Sequence, residues 1–263
     1  MKTSLVSCSI RMLLPALALL VPSGARATNF VENFDGYVVG TQPPGWTIST
    51  QGGLGSANVD SNQFVSASNS LAMYVTNFSM GSTYLVRYDL GNQSADPFSY
   101  FLTNTVSVEI RQTYTNQFFK FAGVDGGALS AFEIQFNQGT LKAINNSNTV
   151  ALVSYSPDEW YRVDINTRPV SATWSANVYD ATNGLLTSFT NFQYAMTPGT
   201  PFYASGAPIG LFLVNFGTIG GSPATGTTYV DNLFVGQIPE PGALALTSIG
   251  ILGIGLLVRR PRR

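Results

Sequence analysis

The feature that most restricts the fold of this chain is the strict alternation of apolar and polar residues in short runs. The run 106–111 reads VSVEIR and the run 132–136 reads FEIQF, so every second side chain is apolar. In the segment that starts at Trp160, Tyr161, Val163 and Ile165 fall on one face of an extended chain. A period of two is typical of β-strands with one buried face, and no long run shows the helical period of 3.6.

Further short runs that favour strand formation continue this pattern between Gly, Asn, Pro and Ser turn signals. They lie at 72–75, 84–88, 118–121, 141–144, 174–178, 209–213 and 228–235. Ten or more short strands separated by turns predict an all-β, two-sheet antiparallel sandwich. Because there is no internal repeat and no linker before Gly236, we predict a single domain over residues 28–237.

Composition narrows the chemistry that this domain can perform. Histidine is absent, which excludes Ser-His-Asp and Cys-His catalysis and zinc sites with histidine ligands. Between residues 28 and 238 there are six basic and 13 acidic residues, a formal excess of seven negative charges. This charge would repel nucleic acid, so no nucleic-acid partner is expected.

The N-terminal segment predicts a secretory signal peptide over residues 1–27. Lys2 and Arg11 give a basic start, 12–21 is an apolar run, and Ala25 and Ala27 flank Arg26 in a small-x-small cleavage site. The run is too short to span about 30 Å of hydrocarbon, so we expect removal by signal peptidase. The only cysteine, Cys8, would leave with it, so that no disulfide is expected.

The C-terminal segment 238–263 combines three features. The 17-residue run 242–258, which is apolar apart from Thr247 and Ser248, predicts a transmembrane helix about 25 Å long. Pro239 and Pro241 favour an extended backbone at Glu240 just before it. The chain ends in an arginine cluster, which would stay cytoplasmic under the positive-inside rule. Its members are Arg259, Arg260, Arg262 and Arg263.

This combination of Pro-Glu-Pro, a short Gly-rich apolar helix and terminal arginines resembles the PEP-CTERM sorting signal. The resemblance implies recognition of Pro239, Glu240 and Pro241 by an exosortase, which would remove the tail after transient anchoring in the inner membrane. It also implies export to the cell surface or matrix and association with exopolysaccharide. The alternative is a plain C-terminal membrane anchor.

Two segments at the ends of the predicted domain carry a second resemblance. FVENFDGY at 30–37, TYVDNLFV at 228–235 and the hairpin at 160–179 resemble the concanavalin-like, laminin-G-like jelly rolls. The resemblance implies that the first and last strands lie side by side, in a binding or structural module. Its hydrolases carry a Glu-x-Asp-x-x-Glu strand, which is absent here: Arg111 follows Glu109 and Gln135 follows Glu133 at that spacing. We therefore expect no enzyme, although carboxylates from different strands could still meet in a glycan hydrolase or lyase.

Three tryptophans are candidates for stacking against a sugar ring: Trp46, Trp160 and Trp174. Tryptophan also dominates sandwich cores, so core packing is the alternative for each. Trp160 and Trp174 begin paired strands, and we consider that they lie opposite one another. Glu32, Asp35 and Asp231 are candidate ligands of a structural Ca²⁺, the one cofactor considered, with capping of turns as the alternative.

Overall fold

A computed structural model of the chain describes residues 29–78, 81–90, 103–115, 118–124, 130–195, 210–216 and 224–238. Over these residues fifteen strands form two antiparallel sheets, and the all-β, two-sheet prediction is confirmed. Within the same residues, no helix has the length and apolar character that a membrane span requires. The predicted signal peptide, the Pro239–Pro241 tripeptide and the predicted helix at 242–258 lie outside the described residues.

The larger sheet has eight strands. In order across the sheet they are β13 (Leu185–Gln193), β12 (Thr173–Tyr179), β11 (Trp160–Arg168), β6 (Thr103–Gln112), β15 (Ala224–Ile238), β4 (Ser70–Phe78) and β3 (Leu54–Asp60). The eighth strand, β1 (Phe30–Glu32), pairs with β15 outside this order. A short 3-10 helix at Pro169–Ser171 connects β11 to β12.

The smaller sheet has seven strands. In order they are β10 (Asn148–Ser154), β9 (Thr140–Asn145), β8 (Ser130–Asn137), β7 (Phe118–Val124), β14 (Gly210–Phe216), β5 (Thr83–Asp89) and β2 (Trp46–Gln51). Neighbouring strands in both sheets run antiparallel throughout. The runs predicted at 106–111, 132–136, 160–165 and 174–178 lie within β6, β8, β11 and β12, so these strand predictions are confirmed.

One apolar core lies between the two sheets, and the alternation of the sequence determines which residues enter it. On β11, Tyr161, Val163 and Ile165 are buried, as the alternation predicts, while the residues between them face away from the core. On β8, Phe132 and Phe136 enter from the other sheet. Each fully buried side chain of this size contributes about 1.5–3 kcal/mol of transfer free energy, which makes this core the main source of stability.

The last strand joins both ends of the domain. Along one edge β15 pairs with β6, and along the other it pairs first with β4, as far as Val230, and then with β1, from Leu233 onward. The first and last strands therefore lie side by side. The ladder to β6 shifts register between Asp231 and Phe234, and Asn232 adopts a left-handed φ of 48°. This bulge marks the position where β15 changes partner.

Substitution of Gly226 can test how tightly the start of β15 is packed. A Cβ on this glycine would lie 1.8 Å from Cδ1 of Tyr114, whose ring is buried and whose hydroxyl hydrogen-bonds Asn215 and Thr228. We predict that Gly226→Ala destabilises the fold by about 1–3 kcal/mol, the usual cost of overpacking. Thermal unfolding of the variant measures this cost.

Gly36 provides the control, because a Cβ there meets no atom within 4 Å. Gly36→Ala should leave the melting temperature within about 1 °C of the wild type, since changes away from packed sites alter stability little. Equal melting temperatures for the two variants would show that Tyr114 does not limit the space at Gly226.

Candidate functional site

A cleft of about 290 Å³ opens on the face of the eight-stranded sheet that points away from the core. Strands β6 and β11 form its floor, the loop 61–69 between β3 and β4 forms one wall, and the turn between β12 and β13 forms the other. The lining residues are Phe64, Val65, Glu109, Trp160, Arg162, Asp180, Ala181 and Asn183. Aromatic rings and planar polar groups therefore share one concave surface.

Strand alternation places the floor residues. On β11 Trp160 and Arg162 occupy the outward positions, and on β6 Glu109 does the same. Antiparallel pairing puts Arg162 directly opposite Glu109, and Trp160 opposite Arg111. Trp160 is half-buried, so part of its ring remains accessible in the cleft.

Arg162 is fixed by three neighbours. Its guanidinium lies 4.2 Å from the centroid of the Tyr179 ring, a cation–π geometry. Its Nη1 donates a hydrogen bond to Asn183 Oδ1 at 2.7 Å, and its Nε lies 3.3 Å from Asp164 Oδ2. These contacts stabilise the floor and connect it to the β12–β13 turn.

Asp180 organises that turn. Its Oδ1 accepts hydrogen bonds from the amide and hydroxyl of Thr182 and from the amide of Gly184, at 2.7–2.9 Å. The hydrogen bond from the Thr182 hydroxyl, followed by those from the two amides, lowers the pKa of the Asp180 carboxyl. These hydrogen bonds fix the turn at 180–184 and hold the Asp180 carboxylate in the lining of the cleft.

The opposite wall depends on a buried carboxylate. Asp231 Oδ2 accepts hydrogen bonds from the amides of Val65 and Ser66, at 2.9 and 3.2 Å. The Ser66 hydroxyl donates to Asn232 Oδ1, and Asn232 Nδ2 in turn donates to Glu109 Oε2 at 2.6 Å. This chain of hydrogen bonds joins the loop that carries Phe64 to the cleft floor.

The pKa of Asp231 reflects its burial. Desolvation raises the pKa of this fully buried carboxyl above its usual range, and the negative charge of Glu109 raises it further. The amides of Val65, Asn232 and Ser66 act in the opposite direction by hydrogen-bonding the carboxylate.

The three candidate calcium ligands are occupied by protein donors. Glu32 accepts from the Phe34 amide and the Tyr37 hydroxyl, and Asp35 accepts from the Ser68 hydroxyl and the Asn69 amide. Together with Asp231, these carboxylates anchor loops. Among the described residues no group of three or more acidic, histidine or cysteine side chains could hold a metal ion.

The tryptophans have different environments. Trp46 and Trp174 are 3% and 1% exposed and pack in the core, so the suggestion that they stack on a sugar is wrong for both. Trp160 and Trp174 also do not lie opposite one another. In an antiparallel hairpin the starts of the two strands lie at opposite ends, and Trp174 pairs with Thr167. Trp160 alone of the three lines the cleft.

Sequence reasoning did not single out most of the cleft. The alternation at 106–111 and 160–165 already marks Glu109 and Arg162 as outward-facing. No pattern within the sequence indicates that the loop at 61–69 and the turn at 180–184 close over these two positions.

Comparison with solved structures shows the fold alone. A protein of unknown function from Shewanella oneidensis is 15% identical, with a TM-score of 0.54, over 90% of this chain and 96% of that one. A sialidase is 10% identical with a TM-score of 0.49, and this chain spans only 17% of its length. A basic winged bean lectin, solved with Tn-antigen, is 9% identical with a TM-score of 0.49, over 81% of this chain and the whole of that one. No family model and no curated protein matches the sequence.

Asp231 offers a test of how the loop wall is held. Asp231→Ala would leave the amides of Val65 and Ser66 without their charged acceptor, and the loss of a hydrogen bond to a charged group costs about 1.5–3 kcal/mol. We predict a lower free energy of unfolding in urea and faster hydrogen exchange at these two amides.

Asp89→Ala is the control, because it removes a carboxylate whose one ion pair within the described residues, with Arg87, is partly exposed. It should change the free energy of unfolding by less than about 1 kcal/mol. Unchanged exchange at Val65 and Ser66 in Asp231→Ala would mean that other contacts hold the loop.

Proposed function

We propose that this protein is an exported, non-catalytic carbohydrate-binding module with a concanavalin-like jelly-roll body. The observation that carries the proposal is the cleft in which the half-buried ring of Trp160 lies beside Glu109, Asp180 and Asn183. The apolar face of a pyranose packs on an aromatic ring, and its hydroxyl groups hydrogen-bond to planar carboxylates and amides. Pockets of this kind, apolar in part with a few convergent polar groups, are the usual form of small-ligand sites.

The cleft favours binding over glycan hydrolysis. A glycosidase acid needs a carboxyl group whose pKa is raised, so that it holds a proton near neutral pH. In this cleft Asp180 has a lowered pKa, and one oxygen of Glu109 accepts a hydrogen bond from Asn232. Asp180 is therefore better suited to accept hydrogen bonds from a ligand than to donate a proton to it.

The two ends of the chain support a location for the module outside the cytoplasm. The predicted signal peptide would export the body, and the Pro239–Pro241 tripeptide with its apolar segment and arginines would retain it at the inner membrane until an exosortase removes the tail. The released body would then act at the cell surface or in the extracellular matrix. The resemblance to the sorting signal implies exopolysaccharide as the ligand there, and a sugar-binding cleft would suit it.

Trp160→Ala tests the binding function. We predict that it weakens binding of the full chain to exopolysaccharide purified from the host by about tenfold, the usual cost of truncating an aromatic anchor. Isothermal titration measures the affinity. Tyr74→Ala is the control, because Tyr74 is an exposed ring on β4 outside the cleft. Equal affinity of the two variants would exclude the cleft as the site of binding.

The sorting proposal is tested by intact-mass analysis of the protein from its native host. We expect a mature chain that lacks residues 1–27 and the segment after about residue 239, and a retained tail in a strain without the exosortase. The same intact tail in both strains would contradict the proposal and favour the plain membrane anchor.

A further inference from the structure

The charges that line the cleft do not balance. Glu109 and Asp180 are negative, and the single positive group of the lining is Arg162. The guanidinium of Arg162 already lies against Tyr179 and beside Asp164, a third carboxylate. The cleft therefore presents an excess of negative charge to a ligand.

Both cleft carboxylates keep one oxygen available. The ion pairs among the described residues are Arg87–Asp89, Arg111–Asp158, Lys120–Glu133 and Arg162–Asp164, and neither Glu109 nor Asp180 belongs to one of them. Asn232 occupies only Oε2 of Glu109, and the turn occupies only Oδ1 of Asp180. Within the described part of the chain, Glu109 Oε1 and Asp180 Oδ2 have no hydrogen-bond donor.

A protonated amine is the ligand group that complements the negative charge and the two available carboxylate oxygens of the cleft. A protonated amine donates three hydrogen bonds and carries the charge that two unpaired carboxylates stabilise. The ring that bears it can pack against Trp160, whose π face attracts a cation as well. A uronate or sulfated sugar would place a negative charge beside Glu109 and Asp180. The cleft volume is close to the lower limit of small-molecule sites, which suits one sugar unit of a chain.

Resting on the proposed function, we infer that the cleft selects amino-sugar units whose amine is free and protonated. The surrounding domain agrees with this selection, since its formal excess of seven negative charges between residues 28 and 238 attracts a polycationic glycan. Selection then lies in the charge of the amine, whereas the stacking on Trp160 is common to all pyranoses.

The test compares four oligosaccharides of equal length: glucosamine, N-acetylglucosamine, glucose and galacturonate oligomers. Isothermal titration with the full chain should give the highest affinity for the glucosamine oligomer, and higher ionic strength should weaken that binding most. Glu109→Gln and Asp180→Asn remove one charge each and keep the oxygen that Asn232 or the turn uses. Each should weaken glucosamine binding about fivefold more than it weakens glucose binding, the difference between a charged and a neutral hydrogen-bond acceptor for an ammonium group.

Asp89→Asn is the matched control, because it removes the same charge from the other sheet. It should not change the affinity for any of the four oligomers. Circular dichroism and melting temperatures confirm that each variant is folded, so that a lost affinity can be assigned to the cleft.

The outcomes separate this inference from the proposed function. Equal affinity for glucosamine and glucose oligomers, both weakened by Trp160→Ala, would overturn the amino-sugar inference and keep the binding function. Stronger binding of galacturonate would overturn it as well. Failure of all four oligomers and of the host exopolysaccharide to bind would overturn both.

Discussion

The change of partner along β15 is the constraint on which both the sandwich and the cleft depend. A single strand edge pairs with β4 as far as Val230 and with β1 from Leu233, and Asp231 lies buried at the bulge between them. A buried carboxylate requires hydrogen-bond donors, and the amides of Val65 and Ser66 supply them. The strand that closes the domain therefore also holds the loop that walls the cleft.

The two cleft walls are connected through the floor by hydrogen bonds. On one side Ser66, Asn232 and Glu109 form a continuous chain, and on the other Arg162 bonds to Asn183 in the β12–β13 turn. Because the floor consists of paired strands, both walls are attached to the same rigid surface. Such preorganisation reduces the entropy lost when a ligand binds.

The strands that the sequence predicted best are those in the middle of each sheet. On β6 and β11 one face is fully buried and the other is polar, so the alternation is strict and the prediction was correct. The edge strands β10 and β13 were not predicted. Only a few of their side chains, such as Leu152 and Phe189, pack partly against the core, so the sequences NTVALVS and LLTSFTNFQ alternate weakly.

The sequence by itself determined the strand class, the inward and outward faces of the central strands, and the absence of histidine chemistry, because these properties are local or compositional. Only the tertiary structure decided which outward residues meet. Glu109 and Asp180 line one cleft because antiparallel pairing aligns β6 with β11 and β11 with β12, which brings the β12–β13 turn beside β6. It also decided that Trp46 and Trp174 fill the core while Trp160 faces the cleft, because strand register assigns each ring to one side of its sheet.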